Sequence, residues 1–367
     1  MRRNMEKKRK KGSLLVGVTS WAVMLAAAAL LLLSYLANIV NPTPVWFMSL
    51  FGLLFIPFFL LNLFLLLWAL LRRSGSLWIP LLALLPSLLF LGRYHQFSSG
   101  GEEKSEDCVK IVTYNVGNFC QGRTYSPGGP EALRATIDSV VQFLRAADPD
   151  IVCLQEAFFF KEYDIASLME RVFPEYDAGY YMYPTSGGSH GNVTLSRFPI
   201  VGKGHFDFEK SGNQAIYTDI RIHASRLRIY NCHFESYNIS LPHLARSLGR
   251  DSTIVRETEY KFKRSIARRP QQVDLVMKDI EACPIETLVA GDFNDTPMSY
   301  TYHRLRKNRS DSFVEAGKGF GATYSMLWPL IRIDYILYPS RFGAVSSRVV
   351  RKKFSDHYPV VAEINVR

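Results

Sequence analysis

The 367-residue sequence contains only five cysteines, and no two of them have CxxC spacing. An odd number without paired spacing indicates neither a structural zinc site nor a complete disulfide framework. Cys153 and Cys232 lie inside apolar, strand-like runs, so we expect them to be small buried hydrophobic side chains. The sequence also lacks internal repeats and long low-complexity segments, which argues for conventional domains.

Charged side chains are missing from two long stretches near the N-terminus. Leu14–Val40 and Val45–Leu71 each contain 27 residues without a charge, whereas about 20 helical residues span the hydrocarbon core of a bilayer. The first stretch is too long for the apolar region of a secretory signal, so we interpret it as a retained anchor. Leu77–Leu91 has only 15 residues and two prolines, and a full span, a re-entrant piece and an interfacial helix all stay open for it. We predict an anchor of two or three transmembrane helices over residues 1–93, with residues 14–91 in contact with the lipid bilayer.

Basic residues around these stretches predict the orientation of the anchor. Seven lysines and arginines precede the first stretch, Arg72 and Arg73 follow the second, and four acidic residues lie within residues 102–107. Positive charge is enriched on the cytoplasmic side of membrane proteins, so the N-terminus is expected in the cytoplasm. With three spans, the rest of this multi-pass protein of the inner or plasma membrane lies on the external side, periplasmic or extracellular. With two spans, the rest of the chain lies in the cytoplasm instead.

The net charge of +11 is concentrated in the anchor. Of the 44 basic and 33 acidic residues, ten and one respectively lie in residues 1–93, which leaves 34 and 32 for the remainder. The remainder is therefore near +2, which gives no support for a broad nucleic-acid-binding face. The basic tail is better explained by topology and by anionic lipid headgroups.

The remaining chain has the pattern of one α/β domain. Residues 94–107 are polar and contain Ser98-Ser99-Gly100-Gly101, which predicts a flexible linker. From residue 108 to 367, short β-rich runs alternate with helical patterns, of which Glu131–Ala147 and Gln271–Ala282 are the clearest. Mixed strands and helices over about 260 residues predict a single domain with a sizeable core.

Polar residues recur at the ends of the apolar runs. A rigid scaffold can present such side chains to a shared cleft. Carboxylate and amide oxygens suit a hard cation such as Mg²⁺ or Mn²⁺, and an added carboxylate and histidines can activate water and stabilise phosphoryl oxygens. The residues concerned are Asn115, Gln155, Glu156, His233, Asp292, Asn294, Asp356 and His357.

These residues belong to an ordered series of motifs that resembles the endonuclease/exonuclease/phosphatase superfamily, whose members are deoxyribonuclease I-like. The series covers nearly all of residues 109–366. The resemblance implies a four-layer αββα sandwich, here preceded by an N-terminal transmembrane helical segment, and Mg²⁺-dependent hydrolysis of phosphate esters. The motifs are Thr113-Tyr114-Asn115-Val116, Leu154-Gln155-Glu156, Leu195-Ser196-Arg197-Phe198-Pro199-Ile200, Gly291-Asp292-Phe293-Asn294, Arg332-Ile333-Asp334-Tyr335-Ile336 and Ser355-Asp356-His357-Tyr358-Pro359-Val360.

The resemblance also implies roles for matching positions. Glu156 would be the principal metal ligand, with Asn115 and Asp356 completing the metal side. Asp292 would orient or deprotonate water, and Asn294 would position water and phosphate.

Two histidines are implied on the phosphate side of the same site. His357, oriented by Asp334, would contact the scissile phosphate. His233 matches the central histidine of the deoxyribonuclease I, sphingomyelinase and tyrosyl-DNA phosphodiesterase branches, where that residue contacts phosphate or assists the leaving group. The abasic-site endonuclease branch lacks this histidine and is disfavoured.

Three further residues are candidates for substrate binding: Glu235, Arg197 and Tyr183. His233-Phe234-Glu235-Ser236 resembles the His-Leu-Glu-Ser run of the tyrosyl-DNA phosphodiesterase branch, although a loop carboxylate held by a nearby arginine is an equal alternative for Glu235. Tyr183 lies before Gly187-Gly188 and predicts either an aromatic substrate loop or surface packing.

We therefore predict a membrane-anchored phosphoesterase, more specifically a nuclease-like phosphodiesterase that uses metal-activated water. Its substrate is a phosphate ester, either nucleic acid or phospholipid-like. A sphingomyelinase-like phosphodiesterase or phosphatase of lipid headgroups is the alternative within the enzyme class. A noncatalytic, membrane-tethered binding module is the alternative outside it. The sequence predicts no specific protein partner.

Overall fold

The computed structural model describes residues 2–97, 100–120, 129–161, 164–209, 211–237 and 252–366. The chain divides into two compact units. The N-terminal unit comprises Met1–Gly92 with Met298–Tyr300, and the C-terminal unit comprises Arg93–Pro297 with Thr301–Arg367.

The N-terminal unit is helical and strongly apolar. In the part of the chain that the structure describes, one helix is long and apolar enough to cross a bilayer, at Thr19–Leu36, and only 28% of that segment is buried within the protein. The second apolar stretch of the sequence is not one continuous helix, because it is divided at Leu54 and its longer part has 17 residues. The helices are α1 (Arg2–Leu36), α2 (Met48–Leu53), α3 (Phe55–Leu71) and α4 (Trp78–Leu84), with 3₁₀ turns at Gly75–Leu77, Leu85–Leu89 and Leu91–Arg93.

Polar side chains join the helices of this unit to one another. Asn62 Nδ2 of α3 donates to the carbonyl oxygen of Ala27 in α1 at 2.8 Å. The Tyr35 hydroxyl of α1 donates to the carbonyl oxygen of Ala83 in α4, also at 2.8 Å. Ala27 of α1 and Ala69 of α3 belong to the same cluster of buried apolar residues. Small side chains of this kind let two apolar helices approach closely, as in the packing of helices within a lipid bilayer.

The C-terminal unit contains fourteen strands among its described residues. They are β1 (His95–Gln96), β2 (Cys108–Asn115), β3 (Ile151–Phe160), β4 (Asp177–Pro184), β5 (Gly188–Ser196), β6 (Ile200–Phe206), β7 (Gln214–Ile222), β8 (Ser225–His233), β9 (Glu286–Asp292), β10 (Arg309–Asp311), β11 (Gly319–Phe320), β12 (Asp334–Pro339), β13 (Gly343–Val349) and β14 (Val360–Asn365). The helices here are α5 (Gly129–Ala147), α6 (Ile165–Val172), α7 (Ser252–Ala282), α8 (Tyr300–Leu305) and α9 (Ser312–Ala316), with 3₁₀ turns at Gly117–Phe119 and Ser325–Leu327.

Twelve of these strands form two six-stranded sheets. The first has the order β13-β14-β2-β3-β5-β4, and the second has the order β10-β12-β9-β8-β7-β6. Each sheet has one parallel pair at its centre, β2 with β3 and β8 with β9, and the other neighbours are antiparallel. β1 and β11 form a separate two-stranded ribbon.

Alternation along the strands places one hydrophobic core between the sheets and one outside each sheet. In β2, Ile111 belongs to the core between the sheets, whereas its neighbour Val112 packs with Leu133 and Val140 of α5. On the other side, Val276 of α7 packs against the outer face of the second sheet. Successive side chains of a strand point to opposite faces, so both faces of each sheet are covered. The predicted four-layer αββα sandwich is confirmed.

Two local predictions differ from the structure. The helix expected at Gln271–Ala282 begins at Ser252, because Pro270 is accommodated inside α7 instead of marking its start. Residues 100–107, expected to be part of a flexible linker, are hydrogen-bonded to the sheet edge. Asn365 Oδ1 accepts from the Ser105 amide at 3.0 Å, and the Ala344 carbonyl oxygen accepts from the Glu102 amide at 2.8 Å. This part of the connector therefore packs on the C-terminal unit.

Candidate active site

The polar ends of the central strands of both sheets meet at one edge of the sandwich. In the first sheet, Asn115 at the end of β2 lies opposite Gln155 of β3. In the second sheet, His233 at the end of β8 lies opposite Asp292 of β9, and Asp292 in turn lies opposite Asp334 of β12. The parallel pairing of β8 with β9 places His233 and Asp292 at the carboxyl ends of their strands, and the antiparallel pairing of β12 with β9 adds Asp334 from the start of β12.

Asn115 joins the two sheets within this cluster. Its Nδ2 donates to Glu156 Oε1 at 3.1 Å and to Asp292 Oδ2 at 2.9 Å, while its Oδ1 accepts from the Gly117 amide at 2.9 Å. The Asn115 side chain is buried. One amide group therefore fixes the separation of two carboxylates that are far apart in the chain.

Glu156 is turned into the cleft by an irregularity of β3. The pairing of β3 with β5 shifts register between Leu154 and Ala157, and Glu156 has a φ of 52°. Bulges of this kind re-aim a side chain next to active sites, and a positive φ is unfavourable for residues other than glycine. The Glu156 side chain remains 23% exposed, so its carboxylate faces the cleft. Burial raises the pKa of Glu156, although the Asn115 hydrogen bond and the charge of His357 oppose this.

The end of β9 and the turn after it place Asp292 and Asn294. Gly291 has a φ of 133°, and a Cβ atom there would lie 1.9 Å from the carbonyl oxygen of Cys232 in β8. Only glycine fits this close approach. Asp292 Oδ1 accepts from the Asn294 amide at 2.8 Å, and Asn294 Nδ2 donates to Asp292 Oδ2 at 3.2 Å. Asp292 is buried, and desolvation raises its pKa above the usual range for an aspartate.

His357, which precedes β14 of the first sheet, forms a hydrogen-bonded pair with Asp334 at the start of β12 in the second sheet. His357 Nδ1 lies 2.9 Å from Asp334 Oδ2, and His357 Nε2 lies 3.7 Å from Asp292 Oδ2. Burial of the ring disfavours its charged form, but the carboxylates of Asp334 and Asp292 outweigh burial and hold the pKa of His357 well above its usual value. The two carboxylates therefore favour the protonated form of His357, whose Nε2 faces the cluster.

His233 has a different environment. Its Nε2 lies 3.4 Å from Glu156 Oε1 and 3.7 Å from Asp292 Oδ2. Asn213 Nδ2 lies 2.9 Å from the same ring nitrogen and also donates to the Phe234 carbonyl oxygen at 3.0 Å. Burial lowers the pKa of His233, with the charge of Asp292 opposing it. The two histidines thus have opposite pKa shifts within one site.

Asp356 lies beside the cluster but has its own contacts. Its Oδ1 accepts from the Ser355 hydroxyl at 3.2 Å, and its carbonyl oxygen accepts from the Ser325 amide at 2.8 Å. Its carboxylate contributes to raising the pKa values of Glu156 and His357, which places negative charge near both.

The donor chemistry of this cluster fits a divalent cation. The described residues include no lysine or arginine paired with Glu156, Asp292 or Asp334, whose ionic contacts are with the two histidines. Buried carboxylates that have no lysine or arginine partner favour the binding of a cation. Asp292, Asp334 and His357 form a group whose ligand atoms lie within 4.8 Å of one another. His357 Nδ1 is already bonded to Asp334, so those two also form a histidine–carboxylate pair.

Two residues that the sequence did not single out contribute to the site. Asn213 contacts His233, as described above. His190 lies in β5, half-buried, and its charge affects the pKa values of both Glu156 and His233. A histidine in Ser189-His190-Gly191 and an asparagine after Gly212 carry no pattern that would have identified them.

The three predicted substrate-binding residues lie in different surroundings, and only Tyr183 lies beside the site. Tyr183 of β4 lies opposite His190, with ring centroids 6.2 Å apart, and so it borders the site. Glu235 is buried, and its carboxylate accepts hydrogen bonds from Ser211, Gln272 and Arg268. This corresponds to the loop carboxylate held by an arginine that we had considered as its alternative.

Arg197 is not brought to the cluster. It follows β5, whose last residue, Ser196, lies opposite Ile151 at the beginning of β3. Five residues of strand, about 17 Å, separate Ile151 from Glu156. Arg197 instead forms an ion pair with Asp148 and lies over the ring of Tyr176 at 5.1 Å. Its contacts are those of a structural residue at the opposite end of the sheet.

Comparisons with solved structures give the same fold. An endonuclease/exonuclease/phosphatase from Bacteroides vulgatus has 18% identity and a TM-score of 0.52, with 72% of this chain and 100% of that chain covered. A mannosyl-6-phosphatase from Bacteroides thetaiotaomicron has 17% identity and a TM-score of 0.50, with 70% and 99% covered. A humanized TDP2 from D. rerio has 15% identity and a TM-score of 0.50, with 71% and 100% covered.

Comparisons of the sequence identify the family. No curated protein sequence matches the chain at a significant level. Residues 15–94 match a family model described as a domain of unknown function (DUF8431). Residues 112–357, about two thirds of the chain, match the model of the Endonuclease/Exonuclease/phosphatase family. The chain belongs to the endonuclease/exonuclease/phosphatase family.

Proposed function

We propose that this chain is a membrane-anchored, Mg²⁺- or Mn²⁺-dependent phosphodiesterase. The single observation that carries the proposal is the convergence of Glu156, His233, Asp292 and His357 at one edge of the sandwich, where contacts of 3.4 to 3.7 Å link residues of both sheets. This set combines a candidate general base, histidine hydrogen-bond donors and carboxylates that have no lysine or arginine partner among the described residues. Those are the groups that phosphoester hydrolysis requires.

Glu156 would hold the cation, with Asn115 and Asp356 completing its protein ligands. The cation would supply Lewis-acid stabilisation of charge on the phosphoryl oxygens. The cleft-facing position of Glu156 and the charge of Asp356 beside it support this assignment.

Asp292 serves as the base that takes a proton from the attacking water. Its raised pKa makes it a stronger base than an exposed aspartate, and Asn115 and Asn294 orient its carboxylate. The oxygen of the water forms a bond to phosphorus as the bond from phosphorus to the leaving ester oxygen breaks. The products are a phosphate monoester and an alcohol.

His357 and His233 act on the other oxygens of the phosphate. Held by Asp334, His357 donates its Nε2–H to a non-bridging phosphoryl oxygen and stabilises the developing charge. His233, placed by Asn213, contacts the phosphate or assists departure of the leaving oxygen.

The N-terminal unit would anchor the enzyme in the inner or plasma membrane. We propose residues 1–93 as an anchor with two or three spans, 94–107 as the connector and 108–367 as the catalytic domain. With three spans the catalytic domain lies on the external side, which is the placement we propose, and with two spans it lies in the cytoplasm. The large side chains exposed on α3 support a surface in contact with lipid, among them Phe64 at 63% and Leu71 at 86%. Cysteine labelling of a Glu106→Cys variant in intact cells tests the side, because labelling only after permeabilisation would exclude the external placement.

Activity of the purified full-length chain tests the proposed chemistry. It should hydrolyse bis(p-nitrophenyl) phosphate with Mg²⁺ or Mn²⁺, and Asp292→Asn or His357→Ala should lower kcat by at least about 100-fold. Arg197→Ala is the matched control and should retain full activity. Full activity of both site variants would contradict the assigned site, and tight phosphate-ester binding without turnover would favour a noncatalytic module.

A further inference from the structure

Six large apolar side chains are exposed together on the C-terminal unit. Their exposures range from 37% to 91%, with Phe97 the most exposed. Elsewhere in the described part of this unit, the exposed large apolar residues are scattered singly over other elements, namely Val201, Val255, Tyr260 and Leu275. The clustered residues, called the apolar patch below, are Phe97, Phe320, Met326, Leu327, Trp328 and Leu330.

Ring contacts make the patch continuous. β1 pairs with β11, which brings His95 opposite Phe320. The ring of His95 lies 4.8 Å from Phe97 and 4.8 Å from Phe320, and the Phe320 ring lies 5.8 Å from Trp328. Phe97 and Trp328 therefore belong to one surface although 231 positions separate them in the sequence.

Basic side chains border the patch. The guanidinium of Arg351 lies over the Trp328 ring at 5.1 Å, and Lys352 and Lys353 follow it as exposed residues. Tryptophan and phenylalanine beside lysine and arginine are typical of the boundary between lipid headgroups and acyl chains. Each basic residue near an anionic membrane surface adds to the attraction.

Residues 323–330, which include four of the six patch residues, also contact residues of the proposed active site. Tyr324 forms a β-bridge with His357, and their rings lie 5.5 Å apart. The amide of Ser325, which precedes Met326, donates to the Asp356 carbonyl oxygen at 2.8 Å. The Thr323 hydroxyl oxygen accepts from the Asp334 amide at 3.1 Å. A surface or a molecule bound at the apolar patch would therefore lie next to the proposed phosphate-binding residues.

We infer that the apolar patch and its basic border rest on an anionic lipid surface, so that the substrate is a phosphate ester displayed by a lipid headgroup. This inference rests on the proposed function, because it names the substrate class of the same site. Chain connectivity supports it. Phe97 follows Gly92, the last residue of the apolar N-terminal segment, by five residues, which span at most about 18 Å. A chain anchored in a bilayer by that segment keeps Phe97 near the bilayer surface.

The composition of the patch favours lipid over nucleic acid. Met326, Leu327 and Leu330 are aliphatic and offer no planar ring, whereas single-stranded nucleic acid is bound by aromatic platforms along a positively charged groove. Residues 94–367 carry a formal charge of only about +2, which is too low for a broad polyanion-binding face.

Turnover in lipid nanodiscs tests the inference with the full-length chain. The discs contain equal parts of phosphatidylcholine and phosphatidylserine, doped with sphingomyelin or a phosphoinositide as the probe, and bis(p-nitrophenyl) phosphate is the soluble probe. Trp328→Ser and Leu330→Ser should lower kcat/KM for the disc-embedded probe by at least about tenfold and leave turnover of the soluble probe unchanged. Leu275→Ser changes a leucine of similar exposure, 45% against 39%, and should affect neither probe.

The outcomes separate the two proposals. Absence of soluble-probe turnover in the wild type would contradict the proposed function itself. Turnover of the soluble probe, with no disc-embedded probe cleaved or with no loss in the patch variants, would overturn the lipid inference alone. A loss accompanied by dissociation of a wild-type oligomer in light scattering would assign the patch to a second copy of the chain, which also overturns it.

Trp328 provides an independent readout without catalysis, because it is the only tryptophan after Trp78. The fluorescence difference between wild type and Trp328→Phe isolates its emission from that of the four tryptophans in the N-terminal unit. Brominated lipids in the nanodisc should quench this component. An unquenched component would place Trp328 in water and contradict the inference.

Discussion

Glu156 Oε1 lies 3.4 Å from His233 Nε2, although the two residues belong to different sheets. A contact of this kind requires that the sheets hold a fixed separation. Directly beneath it, Gln155 Nε2 donates to Asn231 Oδ1 at 2.8 Å, and Asn231 Nδ2 donates to the Leu154 and Val193 carbonyl oxygens at 3.1 and 3.0 Å. Buried amide networks are directional, unlike apolar contacts, so this one fixes the register of the two sheets.

We expect Gly291→Ala to disrupt the site by displacing Asp292 from His233. The new Cβ would lie 1.9 Å from the carbonyl oxygen of Cys232, in a backbone conformation with φ of 133°. The free energy of unfolding should fall by about 1–3 kcal/mol, as measured by denaturant unfolding in detergent. Gly212→Ala is the matched control, because its Cβ would meet nothing within 4 Å, and it should behave like the wild type.

Glu235→Gln should separate a structural role from substrate binding. Ser211 and Gln272 both donate to Glu235 Oε2, and Arg268 donates to Oε1. The glutamine of the variant can keep the first two hydrogen bonds only by placing its NH₂ group against the Arg268 guanidinium. The free energy of unfolding should fall by about 1–3 kcal/mol, while KM for a soluble phosphodiester stays the same. A raised KM with unchanged stability would instead restore the substrate-binding role that the sequence suggested.

The sequence predicted which residues at the ends of strands form the site. It did not predict the residues that contact and orient them. Asn115, Asp292 and His233 end apolar strands, and parallel pairing with the neighbouring strand brings such ends together. Asn213, which precedes β7, and His190 of β5 reach the site, and their contacts depend on pairings between strands that no local pattern encodes.

Arg197 shows that a residue within one of the sequence motifs does not have to lie at the active site. It is part of a motif in the series, but β5 runs antiparallel to β3, so the residue after β5 lies at the end of the sheet away from Glu156. The direction of a strand decides which end of a motif faces the cleft, and the sequence motif alone does not give that direction.

Asp311 should confer a pH dependence on stability that is independent of the active site. Burial alone would raise the pKa of Asp311, but Arg332 at 2.5 Å and the Tyr302 hydroxyl at 2.8 Å outweigh it and hold the pKa below its usual value. A lowered pKa stabilises the fold above the unfolded-state pKa of about 3.9. That contribution is lost as the pH falls through the folded-state pKa.

Asp311→Asn should therefore lower the free energy of unfolding near neutral pH by about 3–5 kcal/mol, because it leaves the buried Arg332 unpaired. The variant should also show a shallower decline of stability below about pH 4 than the wild type. Thermal unfolding over a pH series measures both effects. Asp148→Asn, which removes an exposed partner of Arg197, should change neither, and identical acid profiles for wild type and Asp311→Asn would contradict the argument.

Metal binding should stabilise the full-length chain even when no substrate is present. A ligand that binds only the folded state adds about 2.7 kcal/mol at 100 times its dissociation constant. Mg²⁺ or Mn²⁺ should thus raise the midpoint of thermal unfolding, and EDTA should reverse the rise. Glu156→Gln removes the carboxylate that we assign as the principal ligand, while its amide keeps nearly the same volume.

The variant should unfold at the same temperature with and without the cation. Its midpoint in EDTA should equal or exceed that of the wild type, because the neutral amide no longer carries a charge that burial disfavours. Asp334→Asn tests the alternative cluster of Asp292, Asp334 and His357. If the cation lay there, Asp334→Asn would abolish the thermal shift and Glu156→Gln would retain it, which is the reverse of the result expected from the position of Glu156 in the cleft.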